Sequence, residues 1–153
     1  MDRITDLLNE FVKTIDDELV VEVGSDFAYY PARNVITYTL VVSEYGEESF
    51  LESVEFFQPK VKCDVFLWSI LHEIGHHETI DELTESEQLD SDFIKLFVEN
   101  GAVSKELYYT CPDERAATGW AVQYAESHIT SLAKFWTQLQ TAIMDFYKAN
   151  EII

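Results

Sequence analysis

The stretch Phe66–Leu83, FLWSILHEIGHHETIDEL, places three histidines and a glutamate within six residues of an otherwise apolar run. No glycine or proline interrupts it between Asp64 and Gly75, which favours a helix over a strand. Val65, Phe66, Trp68, Ile70 and Leu71 come before the first imidazole, so the helix is already in the interior when its polar residues begin. Polar groups carried into an apolar interior without a partner cost roughly 2–7 kcal/mol. The fold is therefore required to bring something to these side chains. The plainer alternative is a helix whose terminal histidines only favour the negative end of its dipole.

His72 and His76 are four residues apart, which on a helix puts both imidazoles on one face, one turn from each other. Two histidines from one rigid turn can bind a single zinc ion at about 2.0–2.1 Å and leave two tetrahedral positions open. Glu73 is rotated about 100° from His72 and can address a water at the ion without being a ligand. His72-Glu73-Ile74-Gly75-His76 is the His-Glu-x-x-His pattern of zinc hydrolases, in which the glutamate is the general base. His77 points about 100° away from His76 and reads as a surface residue at the helix end.

A third ligand has a candidate in CPDERAATGWAVQYAESH, where Glu114 stands at the start of a helix with Ala117, Trp120, Ala121 and Tyr124 on its apolar face. A His-His-Glu set leaves one position for water, as in catalytic rather than structural sites. With Pro112 at the first helical position, Glu114 is also where a glutamate commonly caps the backbone. Asp113, Glu126 and His128 are further candidates for the same role. Tyr108, Tyr109 and Tyr124 are candidate oxyanion donors, although tyrosines also serve as ordinary core and rim residues. Cys63 and Cys111 lack a C-x-x-C spacing and read as isolated thiols.

Pairing LHEIGHH with a later ERAATGWA resembles the gluzincin branch of the zincin-like metallopeptidases. In size the chain is similar to the minimal cytoplasmic forms typified by the ImmA/IrrE group and related phage or mobile-element proteins. The resemblance spans roughly Tyr29 to Ala125 and includes YYPARNVITYTL as the strand beside the active-site helix. It implies zinc as cofactor, His72, His76 and Glu114 as ligands, Glu73 as general base and a peptide or protein as substrate. The chain departs from the family at one point. An acidic residue four positions after the third ligand often orients a ligating histidine, and here that position is Thr118, whose neutral hydroxyl orients an imidazole more weakly.

The expected fold is α+β: one domain over residues 1–153, mostly helical, with a short N-terminal antiparallel or mixed sheet beside the histidine helix. Ile4, Leu7, Leu8, Phe11, Val12, Ile15 and Leu19 recur at helical period, predicting a helix from about Asp2 to Leu19. Residues 19–43 predict two or three strands, the best of them Asn34–Val42, whose exposed edge could pair with an extended substrate. After a break at Gly46, Phe50, Leu51, Val54 and Phe57 fit a short helix ended by Pro59, with a strand as the alternative. Further helices are expected at about Asp90–Glu99, Pro112–His128 and Ile129–Ala149. The last carries Ile129, Leu132, Trp136, Leu139, Ile143 and Phe146 as a core seam facing a partner helix.

Ten Lys and Arg against 29 Asp and Glu give a formal charge of −19, which disfavours direct contact with nucleic acid or anionic membrane. Glu78–Asp92 holds seven carboxylates and reads as a solvated acidic loop. No run approaches the ~20 apolar residues of a membrane span. With two cysteines and no basic and apolar leader pattern at the start, the expectation is a cytoplasmic protein with reduced thiols. Two rival functions stand beside the peptidase. One is a zincin-fold regulatory or interaction module with zinc structural or absent. The other is an acidic mimic of nucleic acid, which leaves the histidine motif unexplained.

Overall fold

The structure is a computed structural model that describes residues 2–41 and 44–151. Six helices and three short strands follow in the order α1 (Asp2–Lys13), β1 (Val20–Val23), β2 (Ala28–Tyr30), β3 (Val35–Tyr38), α2 (Glu44–Glu55), α3 (Val65–Thr79), α4 (Glu85–Glu99), α5 (Pro112–Ser127) and α6 (Ile129–Ala149). Short 3-10 segments at Ile80–Glu82 and Lys105–Thr110 link α3 to α4 and α4 to α5. This is an α+β fold with a small mixed sheet: β1 pairs parallel to β3, and β2 antiparallel to it.

β3 lies between the other two strands, so its edge over Val35–Tyr38 is not free for a substrate, contrary to expectation. Asn34 enters it at φ 54°, a left-handed conformation asparagine tolerates, which sets the strand's start. Thr39 and beyond are no longer strand, and Val42 lies outside the described residues. The outer edge of β1 is covered by α1: the Asn9 side chain accepts from Val21 N–H and donates to Val21 C=O, at 2.8 and 3.0 Å. β2 is the remaining outer edge, and it packs beside α3.

Other boundaries shift for local reasons. α1 ends at Lys13 rather than Leu19, because Thr14 and Ile15 turn back onto the Phe11 and Val12 carbonyls. Leu19 still reaches the core, but from the turn into β1. α2 begins before Gly46 and runs through it; of its predicted anchors, Phe50 and Val54 are buried. The expected acidic loop is mostly helical. Thr84 accepts from Glu87 N–H while the Glu87 carboxylate accepts from Thr84 N–H, a capping box that starts α4 five residues before Asp90. The solvated part of that reading holds, since Ser91 is the one buried residue of α4.

The core joins the inner faces of α1, α2, α3, α5 and α6 with Val21, Ile36 and Tyr38 of the sheet. On α6 the expected seam faces the core except at Ile129, which is 57% exposed: Leu132 and Leu139 are buried, and Trp136, Ile143 and Phe146 pack against the core. Phe135 and Ala142 widen the buried face, and Phe135 stacks on Phe11 of α1 at 4.3 Å. α3 is the central element, buried continuously from Phe66 to Gly75. Its tightest neighbour is α5, where a Cβ on Gly75 would stand 2.3 Å from the Ala117 carbonyl oxygen. Only glycine allows that approach. Among the described residues no helix is long and apolar enough to cross a membrane, and both cysteines are free.

Candidate metal centre

Asp64 caps α3 by accepting from Phe66 N–H at 2.9 Å, and the two turns that follow are wholly apolar or small. His72, Glu73 and His76 come next, at the level where α5 crosses closest. Because Gly75 and Ala117 bring the two backbones together, Glu114, one turn before Ala117, lies against the histidine face of α3. Its Oε1 is 2.9 Å from His72 Nε2 and its Oε2 is 3.0 Å from His76 Nε2. Glu114 therefore does not cap its own helix. Asp113 takes the local role, accepting from Glu114 N–H at 2.8 Å.

The three predicted ligands thus form one group, with a donor atom from each all within 4.8 Å of one another. Tetrahedral zinc at about 2.0–2.2 Å from its ligands spaces their donor atoms about 3.4 Å apart, a spacing that falls within the 4.8 Å over which these three donors converge. His72 and Glu114 are buried and His76 nearly so. Thr118 lies one turn after Glu114, and its hydroxyl is 2.9 Å from His72 Nδ1. With Nδ1–H donating to Thr118, the Nε2 lone pair faces the ligand position. The neutral residue at the orienting position still makes the orienting contact.

Glu73 is buried at 7% exposure, and its Oε2 is the one fully buried side-chain polar atom among the described residues without a hydrogen-bond partner. Such an atom is costly in a finished core. Burial pushes its pKa above the ordinary carboxylate value; the nearby His72 and His76 oppose the shift, and Glu114 and Asp26 add to it. For Glu114 burial acts in the same direction, but hydrogen bonds from both histidines outweigh it and hold the carboxyl well below its usual range. His76 is the complement. Burial disfavours its charged form, yet the Glu114 hydrogen bond and charge raise its pKa above the ordinary value.

The cleft over this group has a volume of about 280 Å³ and is lined by residues of α2, α3 and α5, the Ser25–Phe27 turn, Thr39, Val41, Tyr108 and Tyr109. The Tyr109 ring lies 6.1 Å from the His72 ring and 5.6 Å from that of Phe50. Burial, with Glu114 and Glu73 adding, pushes the Tyr109 phenol up to about 12, and burial raises Tyr108 as well. Both phenols keep their protons at neutral pH and can donate. Tyr124 is elsewhere, stacked between Trp120 and His128.

The remaining candidates are placed away from the centre. Glu126 accepts from Lys60 N–H, and His128 is an exposed ring on Tyr124. His77 is not a surface residue but half-buried: Tyr29 OH is 2.7 Å from its Nδ1 and Asp16 Oδ2 2.7 Å from its Nε2. Asp16, His77 and Glu78 form a second close group of donors, with both imidazole nitrogens already satisfied. Burial pushes the Cys63 and Cys111 thiols up to about 11, so both stay protonated.

Sequence reasoning missed Lys95. Its ammonium on α4 is 2.6 Å from Asp113 Oδ2 and 2.9 Å from Glu114 Oε2, over the Tyr108 ring at 5.0 Å. The signal was available only as the single base between Cys63 and Ser104. Comparison with protein-family models, curated proteins and solved structures finds no match for this chain.

Proposed function

We propose that the protein is a zinc-dependent peptidase of zincin-like design, with His72, His76 and Glu114 as ligands and Glu73 as general base. The observation that carries this reading is the unpartnered Oε2 of Glu73, buried beside two imidazoles and a carboxylate that already converge. Zinc held by those three residues would lower the pKa of a water to about 7 and polarise a scissile carbonyl. Glu73 takes the proton from the attacking water and passes it to the leaving amine. Burial raises its pKa, which makes it the stronger proton acceptor. Tyr109, protonated and at the cleft wall, donates to the carbonyl oxygen as negative charge develops there. Thr118 keeps His72 in the ligating tautomer.

Glu73→Gln tests the reading. It is expected to retain about one zinc per chain by elemental analysis and to lose at least on the order of 10²-fold in peptide cleavage. Activity that persists in this variant excludes the mechanism. A second reading is favoured by Lys95, which together with the two histidines already engages both oxygens of the Glu114 carboxylate. On that reading the network is a structural ion cluster in an interaction module. Negligible zinc under zinc-replete conditions, with fold intact, would favour it.

A further inference from the structure

Two carboxylates in the cleft wall, Asp26 and Glu47, take no part in the metal group and form no ion pair among the described residues. They approach the cleft from different elements, Asp26 from the exposed turn before β2 and Glu47 from α2. Among the described residues no lysine or arginine lines the cleft. The sequence explains why, since no Lys or Arg occurs from Asn34 to Pro59 or from Cys63 to Ile94, the segments that build most of its walls. Lys95, the nearest base on α4, is already held by Asp113 and Glu114. Around a divalent ion, Glu114 and Glu73 balance the charge formally, which leaves Asp26 and Glu47 as an uncompensated pair. Beside them Phe27, Val41, Phe50 and Val65 give the cleft an apolar wall.

We infer that the cleft selects an extended cationic peptide, with lysine or arginine side chains toward Asp26 and Glu47 and a large apolar side chain between them against Phe27 and Val65. This rests on the peptidase reading of the site and names its substrate class. A carboxylate-rich peptide is rejected by the same two residues, through like-charge repulsion that the ion, already balanced by its own carboxylates, does not offset. Each wall carboxylate contributes on the order of a fivefold preference at low salt, and less as salt screens it.

The test uses two fluorescein-labelled octapeptides with a central leucine, one flanked by lysines and the other by glutamates. Binding is measured by anisotropy to zinc-loaded Glu73→Gln protein, which does not cut them. The lysine peptide is expected to bind at least about tenfold tighter at low salt, and a central serine in place of leucine to weaken it. Asp26→Lys with Glu47→Lys should remove or invert the preference. Asp26→Asn with Glu47→Gln should reduce it with less disturbance to folding. The control is Asp90→Lys with Glu99→Lys on the exposed face of α4, the same change in net charge outside the cleft. Equal binding of the two peptides, or a control pair that lowers the preference as much as the cleft pair, overturns the inference. Wild-type protein that binds the lysine peptide selectively but cleaves neither leaves the selectivity standing and removes the peptidase reading instead.

Discussion

Thr118 is a small residue with a large assignment: on the zinc reading its hydroxyl, 2.9 Å from Nδ1, holds the proton of His72 there and leaves Nε2 for the ion. Thr118→Val keeps the shape and removes the hydrogen bond, and is expected to weaken zinc binding about tenfold, at the low end for loss of such a contact. Thr118→Asp should restore or exceed the wild-type affinity, because a carboxylate holds the Nδ1 proton more strongly. Competition against a chelator of known affinity reads both. At this scale much of the site was legible. The i, i+4 spacing puts His72 and His76 on one face whatever surrounds them, and the apolar run before them requires a buried partner. Glu114 was the leading candidate for that partner, with its capping role the open alternative; the structure settles the placement because Asp113 serves the first turn of α5 instead. Lys95 was illegible: it reaches Glu114 only because α4 is already helical and packed on α5.

Between elements, the contact of α3 with α5 sets two opposed expectations for Gly75→Ala. Helix propensity alone favours alanine by about 0.5–1 kcal/mol. The new Cβ, however, would lie 2.3 Å from a backbone oxygen that cannot rotate away, and overpacking of this kind costs roughly 1–3 kcal/mol. The steric effect wins, so Gly75→Ala lowers the urea midpoint and, by pushing α5 outward, weakens zinc binding as well. A stabilised variant would mean the helices part without cost. Element types were largely readable from periodicity, and the misreadings have definite causes. The acidic run concealed a helix because charge density was weighed above the Thr84–Glu87 capping box, although both residues and the spacing were in view. On α6 the expected seam was legible apart from Ile129, which is exposed, and Phe135, which joins it because it meets Phe11 of α1, a contact that depends on where the partner helix lies. The central position of β3 follows from the parallel pairing with β1, which no local pattern encodes.

Over the whole molecule, 29 acids against 10 bases make the folded state repel itself. Raising salt from about 10 to 150 mM shortens the screening length from about 30 to 8 Å, so the melting temperature should rise over that range. A melting temperature that falls with added salt would show that ion pairs such as Lys95 with Asp113 outweigh the repulsion. Chelation is expected to leave the far-ultraviolet circular dichroism unchanged, because the core runs from α1 to α6 independently of the ligand residues. Here the Gly75–Ala117 contact has a consequence for exchange. Apolar packing fixes the separation of the two helices that carry the donors, so on the zinc reading an arriving ion would meet a preorganised site and its binding free energy would not be diverted into ordering the chain. Such a site could be emptied and refilled within the native state, and its occupancy would then follow the free metal concentration around it rather than the history of folding.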